Sequence, residues 1–143
     1  MKRRWLLVMG LALGASVVGC GGDDDGTTPA ADSGPRDPTF TNVYTGVIAP
    51  NCSCHLSASG AGGLVMRDQA TAYGNLVGTA AQAGGMCEPG TRVVAGDAAG
   101  SVLYRKVSGE NLCGDRMPRG RAALPSADIQ LIEGWIAAGA MND

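Results

Sequence analysis

Large core-forming side chains are scarce in this chain, and that scarcity limits what it can fold into. Glycine accounts for 23 of the 143 residues. Beyond residue 20 the aromatic side chains are Phe40, Tyr44, Tyr73, Tyr104 and Trp135. A domain of about one hundred residues with so few large side chains buries little apolar surface by itself. Such a domain usually needs additional links between its segments, so its cysteines and its long loops are informative about its fold.

The first 19 residues have the pattern of a lipoprotein signal peptide. Residues 2–4 are basic, and residues 5–18 form an apolar stretch too short to span a bilayer comfortably. Val17-Val18-Gly19-Cys20 resembles the lipobox of bacterial lipoproteins, which implies cleavage before Cys20 and acylation of that residue. We therefore expect a bacterial envelope protein that faces the periplasm or the exterior, with the lipid bilayer as a partner. The alternatives are an ordinary secretory signal cut elsewhere and a retained transmembrane helix.

Residues 20–38 are predicted to be a lipidated, flexible and acidic tether. They include Asp23-Asp24-Asp25 and several prolines and glycines, with almost nothing apolar to bury. Residues 39–143 are predicted to form one domain, which carries seven basic and eight acidic side chains. This nearly neutral balance lacks the basic footprint of a nucleic-acid-binding domain, and we expect no such partner.

The spacing of apolar residues predicts about four short helices joined by long loops. Helices are predicted over residues 39–49, 68–77 and 97–107, and from about residue 125 to a stop at Gly139. Asp68 and Asp97 begin two of these helices and are predicted to cap them. No segment has a convincing strand pattern, so the predicted fold class is all-α. Loops of this length are uncommon unless they serve a function, such as wrapping a bound group.

Cys52-Ser53-Cys54-His55 contains two of the five cysteines and the only histidine. The segment resembles the C-x-x-C-H motif that attaches c-type haem, with one residue missing. In that motif the two thiols bond the porphyrin and the histidine ligates the iron. Residues i and i+3 of a helix lie about 60° apart around its axis, but residues i and i+2 lie about 160° apart.

Both thiols therefore cannot reach one haem from a regular helix, and three outcomes remain open. A distorted turn after Pro50 would allow two thioethers. A single thioether from Cys54 would place Asn51 where the first cysteine normally lies. The third outcome is a protein without covalent haem.

Four further segments support a wider resemblance. These are residues 92–97, 101–106, 117–118 and 135–140. Together with Cys54-His55 they resemble class I cytochrome c, and more particularly the cytochrome c-like domains of bacterial lipoproteins. The resemblance covers nearly all of residues 39–143. It implies haem c bound through Cys54 and, less directly, Cys52, with His55 and Met117 as the axial ligands. The implied function is electron transfer with a redox partner protein, without enzymatic activity.

The chemistry of the proposed ligands agrees with that implication. A thioether is a soft ligand that favours ferrous iron, and two axial ligands leave no open position for oxygen or peroxide chemistry. Met117 is favoured over Met66, Met86 and Met141 because Pro118 stiffens its loop, which precedes the last helix. The arginines around it could meet haem propionates or an acidic partner, or could be simply solvated; they are Arg116, Arg119 and Arg121.

Cys87 and Cys113 remain once Cys20 is assigned to lipid and the motif cysteines to haem. Export to an oxidising compartment favours a disulfide between them. Two free thiols, or a bond from either one to Cys52 or Cys54, are the alternatives.

Two other functions are compatible with the sequence. One is a haem-free lipoprotein that keeps a cytochrome c-like fold as a binding or structural module. The other is a periplasmic copper protein that uses Cys52, Cys54, His55 and a methionine.

Overall fold

The described part of the chain is built from short helices, two of which begin at a side-chain cap. The structure, a computed structural model, describes residues 35–143. The predicted signal peptide (1–19), the lipidation at Cys20 and most of the predicted tether (20–38) lie outside the described residues.

Helix α1 differs from its prediction in both length and geometry. It consists of three consecutive segments: an α-helical turn at Phe40–Val43, a π-helical turn at Tyr44–Ile48 and a last segment at Ala49–Asn51. The Thr39 hydroxyl caps its start by accepting a hydrogen bond from the N–H of Asn42. The N–H of Ala49 donates to the carbonyl of Tyr44, at the wider π spacing. The missing N–H of Pro50 falls directly after this turn, and the helix continues past the predicted stop.

Two 3-10 turns and three more helices complete the fold. The turns span Ser53–His55 and Ala61–Gly63, and the helices are α2 (Gln69–Leu76), α3 (Val102–Ser108) and α4 (Ser126–Ala137). Asp68 caps α2 as predicted, because its carboxylate accepts from the N–H of Thr71 at 2.7 Å. Asp97 does not begin a helix. Its carboxylate accepts from the N–H of Gly100 at 2.8 Å and closes a turn, so α3 begins later than the sequence predicted.

The all-α fold class is confirmed for the described residues. Residues 35–143 contain no named strand, and their only β-type pairings are isolated bridges such as that between Val77 and Val93. None of the helices within this range is long and apolar enough to cross a membrane.

The core is centred on three of the few aromatic side chains, Phe40, Tyr73 and Trp135. The ring of Phe40 lies 4.9 Å from that of Trp135 and 5.2 Å from that of Tyr73, measured between centroids. These contacts join α1, α2 and α4. The Tyr73 hydroxyl donates to the carbonyl of Ala140, and the Trp135 indole N–H donates to that of Met141. The chain after α4 is thereby held against the core.

The end of the predicted tether contacts the domain. The Arg36 guanidinium forms an ion pair with Asp128 in the first turn of α4. Pro38 lies against Gly134 so closely that a Cβ on that glycine would be 3.1 Å from the Cβ of the proline. Residues 36–38 therefore belong to the packed part of the chain.

Candidate functional site

The cysteine–histidine motif lies where α1 gives way to a 3-10 turn. Cys52 has φ −108° and ψ 38°, which is not helical, and the turn Ser53–His55 follows it. The N–H of Cys52 donates to the carbonyl of Ile48, and the N–H of His55 donates to that of Cys52, both at 2.9 Å. The two thiols are therefore presented by an irregular turn and not by a continuous helix.

The two thiols of the motif have different surroundings. Cys52 is half-buried and packs against the hydrophobic core, whereas Cys54 is exposed. Burial, and to a smaller extent the neighbouring Cys54, together raise the pKa of the Cys52 thiol to about 11. Cys52 is consequently a protonated, weakly reactive thiol at neutral pH, and Cys54 is the accessible one.

The His55 ring is oriented by a backbone carbonyl. Its Nδ1 lies 3.2 Å from the carbonyl oxygen of Leu64, and the ring is half-buried. A carbonyl oxygen can only accept, so this hydrogen bond requires the proton on Nδ1. In the neutral imidazole the lone pair is then on Nε2. A histidine that ligates a metal through Nε2 is commonly fixed in this way by a hydrogen bond at its other nitrogen.

A tight loop returns the chain to the histidine, and we call residues 55–66 the His55 loop. The N–H of Met66 donates to the carbonyl of His55 at 2.7 Å, which closes the loop at its base. Gly60 adopts φ +50°, and a Cβ there would lie 2.1 Å from the carbonyl oxygen of Leu64. Only glycine fits this position, and its close approach allows the Leu64 carbonyl to face the imidazole.

Side chains hold four consecutive carbonyls at the end of the His55 loop, and we call these carbonyls the carbonyl row. The accepting residues are Gly63, Leu64, Val65 and Met66. Their donors are, in the same order, Arg92, His55, Asn75 and Tyr44. Arg92 also donates to the carbonyl of Asn75 at 2.8 Å, so the donors are themselves connected. Donors from α1, α2 and the segment before α3 thus fix the partner of the imidazole.

Sequence reasoning did not identify Tyr44, Asn75 or Arg92 as site residues. In the sequence, Tyr44 stands out only as one of the few aromatic side chains. Arg92 stood in one of the segments that carried the cytochrome resemblance, without a role. Among these three residues, the position of Arg92 in that segment was the only available sequence indication.

Met117 is anchored at the core on a separate loop. Its side chain is half-buried against the core cluster, and its N–H donates to the carbonyl of Lys106 at 2.9 Å. The other candidates differ from it, since Met66 is buried whereas Met86 and Met141 are 73% and 62% exposed. Met117 is the candidate with a side chain both packed and accessible.

An open cavity of about 390 Å³ surrounds Met117. Its lining comes from residues 115–121 and Ala123. His55 and Cys54 do not line it, and no hydrogen bond among the described residues joins His55 to Met117. The structure therefore places Cys52, Cys54 and His55 on one turn and Met117 on a different loop, and Cys52 and Met117 both pack against the same core cluster.

Residues 105–121 form a basic segment that we call the Met117 loop. They include five basic and two acidic side chains, whereas the rest of residues 35–143 has three basic and seven acidic. Arg119 pairs with Asp115 at 2.9 Å, with both side chains exposed. The Arg116 guanidinium donates to the carbonyl of Val107, and Arg121 is exposed. Positive charge is thus concentrated beside Met117 on an otherwise acidic domain.

Cys87 and Cys113 lie at disulfide distance, with sulfur atoms 2.16 Å apart and Cα atoms 5.0 Å apart. The bond links the loop after α2 to the Met117 loop. Neither Cys52 nor Cys54 is joined to another cysteine. The predicted pairing is therefore the one found in the described residues.

The motif suits a haem iron at its histidine side. His55 offers an imidazole nitrogen held in position, and Cys54 offers an exposed thiol in the adjacent residue. Met117, on a different loop, offers a thioether sulfur, which is a soft donor for such an iron. Within residues 35–143, no cluster of three or more His, Cys, Asp or Glu side chains is arranged to hold a metal ion.

Comparison with known proteins assigns no family. No family model matches this chain, and no curated protein or solved structure matches it.

Proposed function

We propose that this protein is a lipid-anchored c-type cytochrome of the bacterial cell envelope that transfers electrons. The observation that carries the proposal is the hydrogen bond between His55 Nδ1 and the carbonyl of Leu64, beside the exposed Cys54 thiol. It leaves Nε2 as the coordinating nitrogen and adds a covalent attachment point one residue away. No enzymatic step is needed for this function.

Each residue of the site would have a separate role in holding the haem. His55 and Met117 would ligate the iron, while Cys54 would hold the porphyrin. Haem would supply a one-electron centre that alternates between ferric and ferrous iron. The carbonyl row keeps the imidazole in one orientation, so the ligand geometry need not change when the charge of the iron changes. The thioether of Met117 would favour the ferrous state.

The charge distribution indicates the kind of redox partner. The Met117 loop is basic, and the remainder of the domain is acidic. A partner with an acidic surface would be attracted to the loop and repelled elsewhere, which orients the encounter toward Met117. Acylated Cys20 would keep the domain at the bilayer during these encounters.

The experiment is spectroscopic. The chain is expressed with a signal peptide in a bacterium that carries haem-attachment factors, and the purified protein is examined for a Soret band and for haem that survives denaturation. Met117→Ala should lose the low-spin, Met-ligated spectrum but keep the haem. Met141→Ala is the matched control, because Met141 is 62% exposed and should leave the spectrum unchanged. A folded but colourless protein would overturn the proposal.

A haem-free binding module is the second candidate. It is favoured by the cavity at Met117, because the histidine is not among the residues that line it. The missing residue in the Cys52-Ser53-Cys54-His55 motif also favours a protein without covalent haem. The same expression experiment decides between the two candidates, since this module would be colourless, folded and stabilised by the Cys87–Cys113 bond.

A further inference from the structure

Cys52 and Cys54 differ enough in their surroundings to be given different roles. Cys52 packs against the core cluster, and Cys54 is exposed. The backbone of Cys52 is engaged on both sides, donating to Ile48 and accepting from His55. These bonds fix the backbone at Cys52, so its thiol could turn outward only by rotating about χ1 away from its contacts with the core cluster. The packing thus holds one sulfur in the core and presents the other to solvent.

The residue that would normally carry the first thioether is a fixed asparagine. Asn51 stands three residues before Cys54, at the spacing of the usual first cysteine. Its side-chain amide donates to the carbonyl of Val47 at 2.9 Å and so belongs to α1. An amide cannot form a thioether. The position suited to a second bond is therefore chemically inert, and the extra cysteine lies on the core side of the turn.

We propose that Cys54 alone attaches the haem, by one thioether, and that Cys52 remains a free thiol as part of the core. The proposal rests on the proposed cytochrome function. The Cys54 thiol adds across one vinyl group: the sulfur bonds to the vinyl carbon next to the ring, and the hydrogen goes to the terminal carbon. The addition conserves electrons and has no leaving group. The second vinyl group stays unreacted.

The first test needs no variant. Purified holoprotein is denatured, alkylated with iodoacetamide and digested, and the peptides are weighed. We expect haem on Cys54 and an alkyl group on Cys52 in the same peptide. A pyridine haemochrome spectrum should show the α band shifted to longer wavelength, because one vinyl group remains conjugated with the ring. An unalkylated Cys52, with the band at the position typical of two thioethers, would overturn the proposal.

Paired variants test the same assignment. Cys52→Ala should retain covalent haem, and Cys54→Ala should lose it while its circular dichroism stays helical. If Cys52→Ala failed to fold, the conservative Cys52→Ser variant and the alkylation result would still decide. Covalent haem in Cys54→Ala would refute the role of Cys54. A colourless wild-type protein would refute the cytochrome function itself, and this outcome differs from haem held by two thioethers, which refutes only the single attachment.

Discussion

Replacement of Arg92 by methionine tests whether the carbonyl row stabilises the His55 loop. Arg92 donates from Nη1 to the carbonyl of Asn75 at 2.8 Å and from Nη2 to that of Gly63 at 3.1 Å. Methionine keeps much of the apolar stem of the side chain and removes both donors. The change therefore separates hydrogen bonding from packing.

The magnitude follows from the environment of each bond. The bond to Asn75 is partly buried, and a hydrogen bond from a charged group in that setting contributes about 1.5 kcal/mol. The bond to Gly63 is exposed and contributes about 0.5 kcal/mol. Asn75 lies in the last turn of α2, which contains no basic residue of its own. The positive charge of Arg92 therefore also interacts favourably with the negative end of the helix dipole. We expect Arg92→Met to lower the free energy of unfolding by about 2 kcal/mol.

Urea unfolding followed by Trp135 fluorescence measures this loss, and amide hydrogen exchange locates it. The N–H of Met66 closes the His55 loop, so its exchange should become about 30-fold faster if the loss is local to the loop. The matched control is Arg67→Met. Arg67 pairs with Asp68, and the two side chains are 60% and 52% exposed. We expect the control to cost about 0.5 kcal/mol or less. An equal loss in both variants would refute the role given to Arg92.

The remaining predictions concern the disulfide, an acid-sensitive cap and the basic loop. Replacing Cys87 and Cys113 by alanine should cost about 3.5 kcal/mol, from the 26-residue separation, and reduction of the wild type should match it in urea unfolding. Hydrogen bonds from the start of α2 lower the pKa of Asp68, so its contribution is present above its ordinary value of 3.8 and is lost as pH falls through the lower folded pKa. An acid titration of Tm should accordingly be flatter for Asp68→Ala, and an unchanged slope would contradict this assignment. In the holoprotein, Arg121→Glu should slow oxidation by hexacyanoferrate severalfold at low salt, whereas Arg67→Glu should not.

The sequence predicted those helices whose ends carry strong local signals. Asp68 begins α2 as expected, because a capping carboxylate acts through the adjacent turn alone. Asp97 carries the same signal but closes a turn with Gly100, since a short polar side chain can satisfy either structure. The π-helical turn in α1 was not predicted. Its hydrogen-bond spacing leaves no distinct pattern of apolar residues.

The candidate site was predictable only in part. Cys54 and His55 were predicted because a cysteine followed directly by a histidine is part of a known haem-attachment motif. The difference in burial between Cys52 and Cys54 was not predictable, because it depends on how the end of α1 packs. The donors Tyr44 and Asn75 bond to backbone carbonyls of a distant loop, and a carbonyl carries no residue identity that a sequence pattern could reveal.

A chain with few large core residues must position its loops by other means, and here hydrogen bonds to backbone carbonyls serve that purpose. Ser101 is a second example of a side chain that orders a loop through hydrogen bonds to the backbone. It is fully buried, accepts from the N–H of Val94 and donates to the carbonyl of Asp97. These contacts reach the loops from helices and from the segment before α3, so the loops become ordered without extensive apolar burial. The His55 loop therefore has its imidazole oriented by the fold itself. Preorganisation of this kind lowers the entropic cost of binding a ligand and suits an electron carrier, whose ligands should move little between redox states.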